Sequence, residues 1–245
     1  MTPDALSRKS LWQKLNLLED WLTTGFSRPH PDLEIEEAQV SAATAQPRAP
    51  VDGDDTSGAG ADRPGALSAV AAEVSACVKC GLSAGRTTTV PGEGALDAPV
   101  MFVGEGPGAE EDRTGRPFVG AAGQYLDKWL ASIALDRTRC YIANCVKCRP
   151  PQNREPHPDE IAACLPYLER QIAAVKPRVI CCLGRIAAQT LLGTTSSLGA
   201  LRGKVHQRNG VPVIVTYHPS AVLRDQSLRK PVWDDLKVLQ KMAQR

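Results

Sequence analysis

The chain has 245 residues, eight cysteines and a formal net charge of +2. No apolar run reaches the roughly 18 residues of a membrane-spanning helix, and the charged N-terminal stretch MTPDALSRKSLWQKLNLLEDW does not read as a secretory signal. These features argue against a membrane protein and against a disulfide scaffold. In a reducing cytosol, thiols serve metals or packing instead.

Charge is unevenly spread. Residues 1–66 hold 6 Lys+Arg against 11 Asp+Glu, a balance of −5, and the remainder holds 23 against 16, a balance of +7. A basic body suits a polyanionic partner, and equally suits an ordinary solvated surface. Within 9–24, Leu11, Leu15, Leu18 and Leu22 recur at helical spacing beside Trp12 and Trp21. That pattern predicts an amphipathic helix within residues 1–25, of the kind that packs or docks on a partner. Residues 26–66 are rich in Ala, Pro, Gly and Asp without a sustained period, which predicts a disordered linker.

The folded body is expected from residue 67 to 245. LSAVAAEVSAC (67–77) predicts a helix that delivers Cys77. Strands are predicted at VMFVG (100–104), CYIANCV (140–146), RVICCLG (178–184) and VPVIVTY (211–217). Helices are predicted between and after them, at 121–134, 158–175, 184–192 and 231–243. Alternation of this kind predicts an α/β fold with a mainly parallel sheet. Ligands of such sheets sit at the carboxyl ends of the strands. Here those ends read GEGPG, NCVKCRPPQN, GR and HPS.

The first end, GEGPGAEEDRTGRPFVGAAG (104–123), is neither a Walker loop nor a good dinucleotide fingerprint, because no GK[ST] follows and Pro107 interrupts the turn. Its acids, Glu110, Glu111 and Asp112, disfavour a phosphate and favour a neutral, hydrogen-bonding ligand. Phe118 reads as core filler or as a stacking platform for a planar ring. Asn144 offers an amide that matches the donor and acceptor edge of a base; it and Asn153 also read as turn or cap residues. His218, just past a strand and before a proline, stands in register with the other polar ends.

The sequence CVKC occurs at 77–80 and again at 145–148. Thiolates suit zinc and iron–sulfur sites alike, so spacing alone does not name the metal. If YIANCV is a strand, Asn144 and Cys145 face opposite sides, and Cys145 points into packing. Cys140, Cys181 and Cys182 read as buried thiols.

Taken together, GEGPGAEEDRTGRPFVGAAG, YIANCVKCRPPQNREPHPDEIAAC, VICCLGRIAAQTLLG and VTYHPSAVLR resemble the family 4 uracil-DNA glycosylases over residues 67–245. The resemblance implies a three-layer α/β/α sandwich with a mainly parallel four-stranded central sheet. It implies an enzyme that flips uracil from DNA and hydrolyses its N-glycosidic bond, leaving an abasic site for base excision repair. It implies a 4Fe–4S cluster on Cys77, Cys80, Cys148 and Cys164. The uracil pocket would comprise Glu105, Gly106, Pro107, Phe118, Asn144 and His218, with Phe118 stacking, Asn144 reading O4/N3 and His218 donating to O2. Glu105, Glu111 and Asn153 are candidates for holding the attacking water, because Gly106 stands where related glycosylases place an Asp.

The lack of an inserted basic loop implies turnover rather than the covalent trapping of the X-type relatives. Arg149, Arg154 and Arg224 are expected to contact DNA, as are Lys147, Arg202 and Lys204, with Val222 or Leu223 as a wedge. The expected partners are uracil-containing DNA and a replication or repair protein met through residues 9–24. The protein is expected to be a monomer of the bacterial cytosol or nucleoid, without a membrane.

Overall fold

The computed structural model describes residues 63–244. The helix expected at 9–24 and nearly all of the linker expected at 26–66 lie outside the described residues. The first described element is helix α1 (Arg63–Ser75), which begins inside the span assigned to the linker. Arg63 explains the earlier start. Its guanidinium donates to the carbonyls of Ala174, Val175 and Leu96, so the first residue of the helix is anchored to distant backbone.

After a 3-10 turn (Gly81–Ala84) come strand β1 (Glu93–Gly94), strand β2 (Val100–Gly104) and helices α2 (Ala109–Thr114) and α3 (Ala121–Ser132). Strand β3 (Cys140–Asn144) leads through a 3-10 turn (Pro151–Asn153) to helix α4 (Pro158–Val175) and strand β4 (Val179–Leu183). Helices α5 (Arg185–Leu192) and α6 (Leu198–Leu201) precede strands β5 (Val205–Arg208) and β6 (Val211–Thr216). Helix α7 (Pro219–Arg224) and helix α8 (Arg229–Ala243) end the chain.

The sheet order is β1-β3-β2-β4-β6-β5. The four predicted strands form its parallel centre. Two antiparallel edge strands, β1 and β5, complete it; these were not predicted. Strand alternation sends side chains to two faces. Phe102, Ile142, Cys181 and Ile214 pack with Leu126 and Leu130 of α3 and Leu236 and Leu239 of α8. Met101, Ala143, Cys182 and Val215 pack on the other face with Leu168 and Ile172 of α4 and Leu191 of α5. Two helical layers around one sheet make the three-layer sandwich. The register sets Gly104 beside Asn144 and Leu183 beside Thr216, so the carboxyl ends form one ledge. No helix among the described residues is long and apolar enough to cross a membrane.

Candidate active site and thiol cavity

Asn144 closes β3 on that ledge. It is only 1% exposed, and its Oδ1 is buried without a hydrogen-bond partner. A buried acceptor left unpaired costs about 1–3 kcal/mol, which points to a ligand donor as its purpose. Backbone crowding shapes the space around it. A Cβ on Gly104 would lie 2.5 Å from Asn144 Oδ1 and 2.5 Å from Phe118 Cζ. Glycine at 104 therefore lets the amide and the ring meet beside the strand end.

Phe118 is 5% exposed and packs with the α3 and α8 side of the core. It has φ of 54°, a left-handed conformation that costs a non-glycine residue roughly 1–3 kcal/mol. Three devices hold it there. Arg137 donates to the carbonyl of Phe118 and, at 2.9 Å, to that of Pro117. Glu111 Oε1 accepts the N–H groups of Val119 and Gly120, each at 2.8 Å, while Oε2 accepts from Gly108 at 3.1 Å. Gly123 admits the folded-back loop, since a Cβ there would fall 1.7 Å from Phe118 O. Arg137 is itself set by Asp127 and Glu93.

His218 caps α7. Its Nδ1 accepts the Ser220 N–H at 3.2 Å and lies 2.7 Å from Ser220 Oγ. A backbone N–H only donates, so the ring proton of a neutral His218 resides on Nε2. Burial, and then the Arg224 cation, pull the imidazole down to about 4, with Glu111 opposing. His218 is therefore a neutral Nε2–H donor at pH 7. Its ring centroid lies 5.6 Å from that of Phe118, which places donor and platform side by side.

Among the three water candidates, two are committed elsewhere. The Glu111 carboxylate is filled by backbone N–H groups. Asn153 is exposed, and its Oδ1 accepts from Arg149 Nε at 2.8 Å. Glu105 stands apart from both. Burial lifts its carboxyl to about 7, the Glu155 carboxylate adds to the rise, and Arg185 opposes it. Gly106 and Pro107 follow in the same loop. Gly106 is crowded too, because a Cβ would meet Val146 Cγ2 at 2.8 Å.

Three residues assigned to DNA, Lys147, Arg202 and Val222, are taken up by the fold. Lys147 is 1% exposed, and its Nζ donates to Asn144 O and to Gln171 Oε1. Arg202 pairs with buried Asp235 at 2.7 Å and stacks 4.3 Å over the Tyr217 ring. Val222 is fully buried, which removes it as a wedge, whereas Leu223 is 41% exposed. Arg154 is engaged by Glu160 at 2.7 Å, within the turn that starts α4. Arg224 and Lys204 are exposed and Arg149 is partly so.

Cys77, Cys80, Cys148 and Cys164 line a single cavity with Leu82, Arg86 and Tyr167. Arg86 donates to Cys148 Sγ at 3.4 Å and to the Cys77 carbonyl at 2.6 Å, and the Lys147 N–H donates to Cys164 Sγ at 3.3 Å. Burial lifts the Cys164 thiol to about 11, with Lys147 opposing. Among the described residues, no three His, Cys, Asp or Glu side chains form a site for a single metal ion. Four thiols with cationic and N–H donors fit an iron–sulfur cluster, which is anionic once four thiolates bind it and accepts hydrogen bonds at sulfur. Cys145 does not line this cavity; it is fully buried in the core with Ala143 and Cys182. Cys140, Cys181 and Cys182 are likewise core residues.

Arg137, Ser220 and Gly123 were not singled out from sequence. The Ser in HPS was the one available signal, since a hydroxyl beyond a helix-capping residue is placed to bond back to it.

The fold and ledge thus define an α/β/α protein that gathers a buried amide, an aromatic ring and a histidine at its strand ends, with a four-thiol cavity nearby. A family model described as the Uracil DNA glycosylase superfamily matches residues 91–239. Type-4 uracil-DNA glycosylases align along most of the chain. The Sulfurisphaera tokodaii protein is 44% identical over 186 residues, covering 72% of this chain and 84% of the relative. The Pyrobaculum aerophilum protein is 49% identical over 168 residues, covering 65% and 86%. The Thermotoga maritima protein is 46% identical over 172 residues, covering 69% and 90%. The chain belongs to the type-4 branch of the uracil-DNA glycosylase superfamily.

Proposed function

We propose that this protein excises uracil from DNA by hydrolysing the N-glycosidic bond and leaving an abasic site. The observation that carries the reading is the unpaired, buried Oδ1 of Asn144 beside Phe118 and a neutral His218. Uracil supplies what that site lacks. Its N3–H donates to Oδ1, its O4 accepts from the same amide, and its O2 accepts from His218 Nε2. Phe118 takes the ring face once the base has left the stack.

As the bond between C1′ and N1 breaks, the electron pair passes to the uracil ring and charge grows on O2. A fixed Nε2–H stabilises that charge more than it stabilises the neutral base. Positive charge is left on the sugar. Water adds to C1′ and gives its proton to the Glu105 carboxylate, whose pKa of about 7 suits a base at neutral pH. Leu223 fills the gap left by the flipped base, and Arg149 and Arg224 meet phosphates.

The cysteines Cys77, Cys80, Cys148 and Cys164 would hold a 4Fe–4S cluster, which supplies a structural tie rather than a step of hydrolysis. A cytosolic or nucleoid setting accords with free thiols and a DNA substrate. Residues 1–25 and 26–62 are proposed as a docking helix and tether for a replication or repair protein, on an otherwise monomeric enzyme; residues 63–66 belong to α1.

The test is incubation of cluster-loaded protein with a single-uracil oligonucleotide, then alkali. Scission at the uracil position supports the proposal, and an intact strand sinks it. A brown protein absorbing broadly near ~400 nm supports iron–sulfur, and a colourless one favours zinc.

A further inference from the structure

Lysines are almost never fully buried unless paired, yet Lys147 lies inside the core. Its ammonium meets two neutral acceptors, Asn144 O at 2.9 Å and Gln171 Oε1 at 2.6 Å. Gln171 cannot turn away. Its Nε2 donates to Pro91 O at 2.7 Å and to Tyr141 Oη at 3.3 Å, which aims Oε1 at the lysine. The Lys147 backbone is held as well, because its carbonyl accepts from Val90 N at 2.8 Å and its N–H donates to Cys164 Sγ. One residue thus touches the strand end that bears the amide and a thiol of the cavity.

We infer that Lys147 is a positioning residue for Asn144, tying the end of β3 to the thiol cavity through its ammonium on the Asn144 carbonyl and its amide on Cys164. The inference rests on the reading of Asn144 as the residue that grips uracil. Its physical basis is the place where the strand stops. Past Asn144 the pairing runs out: the Cys145 N–H donates to the carbonyl of Gly104, the last residue of β2, and the Val146 N–H to that of Glu105 in the loop beyond. A charge-assisted bond, roughly twice as strong as a neutral one, fixes the Asn144 peptide where that pairing ends. The amide side chain then keeps its direction toward the base, and small misplacements of such a group are costly. The lysine gains as well. A buried cation with neutral acceptors is expensive, and the negative charge of bound thiolates beside Cys164 offsets that cost.

The experiment compares cluster-loaded wild type, Lys147→Met, Asn144→Ala and the double variant. Free uracil is titrated by calorimetry, excision is followed under single turnover, and iron content is measured on the same samples. Lys147→Met is expected to weaken uracil binding about tenfold, as for loss of one charge-assisted bond, with wild-type iron content. Added to Asn144→Ala, it is expected to cost nothing more, since both act through one side chain. The reduction potential of the cluster is expected to fall, because a cation beside Cys164 is gone.

Wild-type uracil affinity in iron-replete Lys147→Met overturns the inference, as does full additivity with Asn144→Ala. Should Lys147→Met fail to fold, Gln171→Leu releases the ammonium from its second acceptor. A smaller loss of uracil affinity there supports the link, and unchanged affinity overturns it. If wild type binds uracil and Asn144→Ala does not while Lys147→Met matches wild type, only the inference fails. If wild type neither binds nor excises uracil, the pocket reading fails and takes the inference with it.

Discussion

The base pocket and the thiol cavity flank the same short stretch, 144–148, and are built by opposite means. In the pocket, the groups that frame the ring and the histidine are already bonded. Glu111 collects backbone N–H groups, Arg137 grips the Phe118 carbonyl and Ser220 fixes the His218 tautomer. One acceptor, Asn144 Oδ1, is left over. In the cavity, four cysteines share one lining, and the sulfurs of Cys148 and Cys164 accept from Arg86 and from the Lys147 N–H. The difference teaches that the pocket is preorganised before its ligand arrives, whereas the cavity would owe its rigidity to the proposed cluster.

Breaking the pocket should cost most. His218→Ala and Asn144→Ala are each expected to lower single-turnover excision roughly 10²–10³-fold, as for removal of one preorganised donor, without changing visible absorbance. Loss of colour in either would merge the two regions into one structural unit.

Arg137→Ala strikes the frame rather than the contacts. With Phe118 released from its left-handed backbone, excision is expected to fall roughly ten- to a hundredfold. The thermal midpoint should fall with it, because the bonds to Pro117 and Phe118 and the pairs to Glu93 and Asp127 go together.

The pH profile sharpens the pocket further. Glu105 has its carboxyl raised to about 7, so its basic form is lost as pH falls through 7. Excision is expected to drop about tenfold for each unit below that point if one ionised base is required. His218, held at about 4, stays neutral over that range and adds no second limb. Glu105→Gln should flatten the profile, and an unchanged limb would remove Glu105 as the base.

The smallest expected effect separates the two CVKC copies. Cys164→Ala and Cys148→Ala should lose colour, while Cys145→Ala keeps it and costs about 1 kcal/mol of stability, the scale of a small core truncation. A bleached Cys145→Ala would reassign the cavity.

Much of this division was legible in sequence. The parallel strands announced themselves as short apolar runs, and strand alternation separated Asn144 from Cys145. The edge strands did not. Two-residue β1 has no period, and β5, VHQR, alternates exposed with half-buried residues and forms no apolar run. Lys147 read as a phosphate contact because charged residues usually face water. Its burial depends on Gln171, 24 positions away, which no local pattern reports. Glu111 read as a catalytic candidate for the same reason: the N–H groups that occupy it belong to a loop whose path only the fold reveals.

Helix α1 holds a consequence for how the chain is made. It is the first described element to leave the ribosome, yet Arg63 binds the Ala174 carbonyl 111 positions later, and Glu73 pairs with Arg170 of α4. Until α4 has emerged, Val70 and Val74 have nowhere to go, since their neighbours Cys164 and Tyr167 belong to that helix. During synthesis, at about 5–20 residues per second, α1 waits several seconds for its seat. The first described segment to be translated is thus among the last to settle.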